Sequence, residues 1–284
     1  MSGIPALLTD FIADARSLRE DWRYTNVAEF SALTPQTAPL QCHTFDADAL
    51  LVDDTTSAGD IMLRRQHFTV AAGITLRHVR VTNHDTAHSA FLQTQVDVAA
   101  GGSYELYILT NGAHRLRQQV TVNLNAPAAR ARIGCAYVLT GAAHHDLNVQ
   151  MNHLAPACTS QQLVKGVVAG TARAAFVGKI AVAAEAQETD AQQLHKAMLL
   201  SPRAEVNAKP ELEIFADQVK CTHGNAIGDL DDAALFFLRQ RGLDTAAARA
   251  LLVGAFVLET LEYAPADQRA RLEQALEHMV AGLA

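Results

Sequence analysis

Residues 208–242 read AKPELEIFADQVKCTHGNAIGDLDDAALFFLRQRG, and three patterns meet in them. A strand-like run carrying Leu212 and Ile214 leads to a thiol and an imidazole two residues apart, Cys221 and His223. On an extended strand, side chains two apart share a face and sit roughly 6–7 Å apart along the backbone. Soft sulfur and borderline nitrogen so placed suit iron, zinc or an iron–sulfur cluster. Structural metal sites usually take four ligands, so the rest would come from another coil or another chain. Gly224 is read as a turn directly after the pair, placing it at an open end of the core. The plain alternative is that Val219, Cys221 and His223 simply pack inward, because free cysteine behaves as a small hydrophobe. An amphipathic helix follows, with Asp229 and Asp232 as its capping pair and Gly242 as its stop.

Upstream, from about Ile61 to Ile227, short runs alternate apolar and polar residues. Ile74, Leu76 and His78 form one, and Val120, Val122 and Leu124 another. Ile133, Cys135, Tyr137 and Leu139 repeat the pattern, as do Leu147, Val149 and Met151, and then Phe176, Gly178, Ile180 and Val182. Turns of small residues separate them, such as Gly101–Gly102 before a strand and Gly141–Ala142–Ala143. Starts recur every 12–17 residues or so, which fits an all-β sandwich or a β-solenoid. Alanine, valine and glycine would fill the narrow interior of a solenoid, although periodicity alone does not separate the two folds.

The ends of the chain change period. Ile4 to Trp22 reads as a helix, with Pro5 in its first turn and Leu7, Leu8, Phe11, Ile12, Ala15 and Leu18 on one face. Trp22 and Tyr24 then anchor it to the core. Beyond Gly242, Asp244 caps a second helix lined by Leu251, Leu252, Ala255 and Leu258. Pro265 and Asp267 open a third, with Leu272, Leu276, Met279 and Leu283 at helical spacing. Such helices can cap a solenoid end, shielding its edge, or serve as a docking surface.

The net charge of −7, with no Lys/Arg cluster, argues against a nucleic-acid surface. Cys42, Cys135, Cys158 and Cys221 are far apart and form no CxxC pair, as expected of reduced thiols in a cytoplasmic protein. Asp10 and Asp14 interrupt any apolar leader, and the stretch Ala250–Leu258 is about half a membrane span. His144, His145 and His153, with Cys158, match no compact metal motif and read as surface and turn residues. His84 and His88 are weaker candidates still. No GxSxG, Walker loop or dinucleotide fingerprint is present. A solenoid polysaccharide enzyme would need paired carboxylates on one face, and Asp190 and Asp217 form no obvious pair.

The run from His145 to Leu261 resembles the SufB/SufD family of iron–sulfur cluster assembly proteins. The matching pieces are NHLAP (152–156), SQQLVKGVVAG (160–170), FVGKIAV (176–182), AQETDAQQL (186–194) and LLSPRAEVNAKPELEIFADQVKCTHG (199–224). LFFLRQRG (235–242) and LLVGAFVLE (251–259) continue it, and DWRYT (21–25) matches near the N-terminus, while residues 30–115 match less clearly. The KCTHG form at 220–224 resembles the SufD branch, where SufB has an acidic, glutamate-containing version.

This resemblance implies a mainly β protein, a right-handed parallel β-helix flanked by N- and C-terminal helical segments. The expected divisions are 1–35 for the N-terminal helices, 36–228 for the β-helix and 229–284 for a helical docking domain. The chain is expected to be short for the family through a reduced N-terminal part. The implied role is a non-catalytic scaffold subunit of a SufB–SufC2–SufD complex, with ATP hydrolysis on SufC and no nucleotide bound by this chain. His223 then corresponds to a histidine implicated in building the nascent cluster, and Cys221 to its neighbouring cysteine. Iron or a transient iron–sulfur cluster would be shared with SufB. SufC is expected to dock on Leu235, Phe236, Phe237, Leu238, Leu251, Leu252 and Phe256. A homodimeric scaffold acting without SufB is the second reading, since edges that meet SufB could meet a second copy. Neither nucleic acid nor membrane is an expected partner.

Overall fold

The computed structural model describes Tyr24 and residues 40–55, 61–83 and 88–283. The helix expected over Ile4–Trp22, and Trp22 itself, lie outside the described residues, as do His84 and the turn around Pro35 and Pro39. Fourteen strands follow one another: β1 (Leu40–Phe45), β2 (Ala49–Thr55), β3 (Ile61–Val70), β4 (Thr75–Thr82), β5 (Ser89–Val98), β6 (Ser103–Thr110), β7 (Arg115–Leu124), β8 (Arg130–Leu139), β9 (His144–His153), β10 (Thr159–Val168), β11 (Arg173–Val182), β12 (Asp190–Leu199), β13 (Glu205–Ile214) and β14 (Lys220–Asp229). Odd strands form one seven-stranded sheet and even strands the other, in sequence order and all parallel. The chain is therefore a parallel β-solenoid with two strands in each coil.

Hydrogen-bonded partners one coil apart lie 26 residues apart at Asn123–Asp97 and 32 apart at Arg173–Glu205. Because side chains alternate across a strand, every second residue points into the space between the sheets. Those inward columns make the main core, including Leu106, Ile133, Val164, Val149, Phe176 and Ile180. Parallel strands in register stack like on like, so Val120 lies on Val149 and Val122 on Met151. The turns use positive φ where the chain reverses tightly, as at Gly101 and Gly141.

Three helices follow β14: α1 (Asp232–Arg239), α2 (Thr245–Leu258) and α3 (Ala266–Ala281), with a 3-10 turn (Glu259–Leu261) before α3. Asp231 caps α1, accepting from the Ala233 and Ala234 amides, and Asp244 caps α2. Asp229, expected as a cap, is the last residue of β14, so the helix starts two residues later than the charge pattern suggested.

These helices do not cap the end of the solenoid. α2, the 3-10 turn and α3 lie on the outer face of the even sheet, where Val253, Val257, Leu261, Leu272, Leu276 and Val280 bury Val79, Tyr107, Leu109, Ala136, Val138 and Val167, and α1 packs against α2. The reason is visible in the strands. The outward residues of the first halves of β4, β6, β8, β10 and β12 are polar, namely Arg77, Glu105, Arg132, Gln161 and Gln192. Those of the second halves are largely apolar. The buried ammonium of Lys165 pairs with Glu259 and sits 4.5 Å over the Phe256 ring. The Tyr107 hydroxyl donates to the Tyr263 carbonyl, and Gly134 lies flush beneath the 3-10 turn.

Candidate functional site

With α2 and α3 on the flank, the C-terminal end of the solenoid carries no further strand among the described residues. β13 and β14 are the last strands of their sheets, each paired on one side among the described residues. Inward positions there have no further coil over them among the described residues. The register column Leu106–Ile133–Gln162–Gln193–His223 runs from apolar and buried to exposed at its last member. Cys221 and His223 both stand on β14 on this inward side, opposite Ala191 and Gln193 of β12. Cys221 is half-buried against the core, and burial, then the Asp190 carboxylate, push its thiol up from the ordinary range. His223 is exposed.

Gly224 is not a turn, because β14 continues straight through it to Asp229. The reversal comes before the pair, in the loop between Ile214 and Lys220, and Gly224 instead lies close to Leu194. The site is therefore the first half of an edge strand, not a strand end.

His144, His145 and His153 are buried, contrary to their reading as surface residues. They lie on β9, where the chain has coils on both sides, and each meets a polar partner at Nε2, while Nδ1 of His145 and of His153 has no hydrogen-bond partner among the described residues. His145 Nε2 lies 3.3 Å from Gln118 Nε2, and burial drives its pKa down to about 3. His153 Nε2 lies 2.9 Å from the Ser160 hydroxyl, and burial brings its pKa to about 4. His144 Nε2 faces the Tyr24 carbonyl at 3.2 Å. Cys158 is buried, its thiol donating to the Ala126 carbonyl at 3.3 Å. None of the four joins Cys221 and His223, and among the described residues no group of three or more His, Cys, Asp or Glu could hold a metal ion. Cys221 and His223 thus supply part of a ligand set only.

One residue that the sequence reading missed connects directly to this edge. His195 of β12 is buried, with Nδ1 2.7 Å from Asn225 Oδ1 on β14 and Nε2 2.9 Å from the Tyr137 hydroxyl on β8. Its signal was present in the QQLHKAM run, where it falls two residues after Gln193 on the inward side. Of the residues expected to dock a partner on α1 and α2, Phe236, Phe237 and Leu251 are more than half exposed, whereas Leu235, Leu238, Leu252 and Phe256 are partly covered. No helix among the described residues is long and apolar enough to cross a membrane.

Residues 46–256 match the family model described as SUF system FeS cluster assembly, SufBD core domain. The chain is similar to the iron–sulfur cluster assembly protein SufD of Escherichia coli, 32% identical over 228 residues, covering 76% of this chain and 52% of that one. It is also similar to the chloroplastic protein ABCI7 of Arabidopsis thaliana, 35% identical over 205 residues, covering 72% and 43%. An iron–sulfur cluster assembly SufBD family protein of Synechocystis is 36% identical over 202 residues, covering 69% and 44%. The chain spans about half the length of these curated relatives.

Proposed function

This chain belongs to the SufBD-core family of iron–sulfur cluster assembly proteins and is of the SufD type, and from that premise we propose that it is a non-catalytic scaffold subunit. Its substrate is iron together with sulfide, received at the open end of the solenoid. There His223, as neutral imidazole, ligates iron, with Cys221 beside it as a second donor. A SufB-like chain supplies the remaining ligands by meeting the free edges of β13 and β14. A SufC-like ATPase hydrolyses ATP and docks on α1 and α2 through Phe236, Phe237 and Leu251, in an assembly of SufB, two SufC and this chain in the cytoplasm.

The observation that carries this reading is the exposed strand β14, which presents an imidazole and a thiol on one face and has no second neighbour among the described residues. Unpaired edge N–H and C=O groups are a template for pairing with another chain. Exposed Phe215, Ile214 and Ile227 add apolar area at the same end.

The test is to copurify the chain from its native cell, then rebuild the complex with SufB and SufC and measure iron and acid-labile sulfide. His223→Ala is expected to assemble the complex but lower both, with Cys221→Ser weaker. Exposed His114→Ala serves as the control. Wild-type cluster content in His223→Ala would end the ligand role, and copurification as a homodimer without SufB would replace the partner.

A further inference from the structure

A hydrogen-bonded thread crosses the solenoid interior and ends at the candidate site. It runs from Tyr137 on β8 to His195 on β12 at 2.9 Å, and from His195 to Asn225 on β14 at 2.7 Å. Tyr137 and His195 are two coils apart and meet because residue 166, between them on β10, is glycine. A Cβ there would fall 1.7 Å from Tyr137 Cζ. His195 is also clamped flat against Phe176, with centroids 4.9 Å apart and planes 14° apart. Both ring nitrogens of His195 are therefore engaged, and the ring has no room to turn.

The proton positions follow from what must not be left unpaired. Tyr137 Oη is buried and has no described partner besides His195, so its O–H donates to Nε2. His195 is then protonated at Nδ1 and donates to Asn225 Oδ1. The opposite arrangement would leave the tyrosine proton without an acceptor in the core. With its oxygen turned to His195 and holding one hydrogen bond there, Asn225 has its NH2 directed away from that ring, on the exposed edge strand and the same face as His223. Such a group repels a cation and attracts an anion. Beside an imidazole and a thiol that receive iron, the anion that accompanies the metal is sulfide.

We propose that Asn225 donates a hydrogen bond to the sulfide of an iron–sulfide species bound at Cys221 and His223, and that Tyr137 and His195 are the positioning residues that aim it. The proposal rests on the site reading above. Hydrogen bonds to cluster sulfurs set retention and reduction potential without changing the ligands. A single one to a charged acceptor is worth about a factor of ten in affinity.

The experiment uses the full chain in its complex with SufB and SufC, loaded anaerobically with ferrous iron and inorganic sulfide. Asn225→Asp keeps an acceptor for His195 and removes the donor. It should weaken sulfide retention roughly tenfold and lower the midpoint potential of the cluster, while uptake of ferrous iron alone is undiminished. Tyr137→Phe, which keeps the ring and frees His195, should move both readouts in the same direction by less. Circular dichroism and gel filtration confirm folding and assembly of each variant. If His223→Ala lowers cluster content but Asn225→Asp and Tyr137→Phe match wild type in sulfide and potential, this inference fails and the site reading stands. If His223→Ala is itself without effect, both fall.

Discussion

Gly134→Ala tests whether the C-terminal helices are pressed onto the even sheet as the structure has them. Gly134 lies on the outward face of β8, and an added Cβ would fall 2.4 Å from the Thr260 carbonyl oxygen and 3.4 Å from the Tyr107 ring. The oxygen belongs to the backbone of the 3-10 turn, so no rotamer change relieves the clash. The turn must retreat by roughly 1 Å to regain van der Waals distance. That retreat strains the Tyr107–Tyr263 hydrogen bond and the Lys165–Glu259 pair, which hold the same turn. Overpacking of this kind costs about 1–3 kcal/mol. For a chain of this size each kcal/mol lowers Tm by about 2–4 °C, so a fall of roughly 2–12 °C is expected. The matched variant is Gly254→Ala inside α2, where the added Cβ meets nothing within 4 Å. There alanine's helix propensity stabilises by about 0.8–1 kcal/mol. Differential scanning calorimetry on both variants measures the pair. A Gly134→Ala protein as stable as wild type would refute the close seating of residues 259–264 on β8.

Acid sensitivity follows from the buried histidines: folded pKa values near 3 for His145 and 4 for His153 lie below the unfolded value of about 6.5. Between those limits the unfolded chain binds protons that the folded chain refuses. Stability is therefore full above pH 6.5 and is lost as pH falls, by ~1.4 kcal/mol per unit for each histidine. Urea midpoints from pH 7 to 4.5 measure this, and a flat profile would show that the imidazoles are hydrated or charged in the fold. Phe236→Asp with Phe237→Asp should abolish co-elution with SufC and leave Tm unchanged, because no residue of α1 is buried; retained co-elution moves the docking surface elsewhere. Deletion of residues 244–284 is the poorer test, since it uncovers Tyr107, Leu109 and Val138 and should cause aggregation. Gly166→Ala should destabilise by about 1–3 kcal/mol, because Tyr137 must leave its place against His195; a Tm equal to wild type would mean that Tyr137 does not cross that coil.

Much of the fold was legible because a parallel solenoid repeats a local signal. The alternation at Val120, Val122 and Leu124 and the turn at Gly141 are local, and each is reproduced in the structure. The spacing of starts was half of the true repeat, since two strands complete one coil. A sandwich gives the same alternation, and only the pairing of Val120 with Val149 distinguishes the two folds. What misled the reading were polar residues whose partners lie on other strands. His145 and His153 look solvated in sequence, yet Gln118, one coil back, and Ser160, across the turn on β10, meet their Nε2 atoms in the buried interior. Gly224 looks like a turn because glycine usually marks one, but here it relieves close contact with Leu194.

The candidate site was half legible for a related reason. Cys221 and His223 are neighbours in sequence, and their strand spacing alone puts them on one face. Asn225 shares that face, but an asparagine on an edge strand carries no signal until its partner is known. Its partner His195 is 30 residues away, and the residue that aims His195 is 58 further back along the chain. Nothing in the local pattern joins Tyr137 to Asn225. The join requires the inward register of three even strands and a glycine at position 166 to open the path. Deep in the solenoid, the column holding Leu106 and Ile133 is apolar and buried. At its last coils it turns to Gln162, Gln193 and His223, and both ends of the Gln162 amide have no hydrogen-bond partner among the described residues. An unpartnered amide buried between coils is costly, and this polar stretch of the column, ending at exposed His223 on the edge strand, suits a small charged guest that a second chain then encloses.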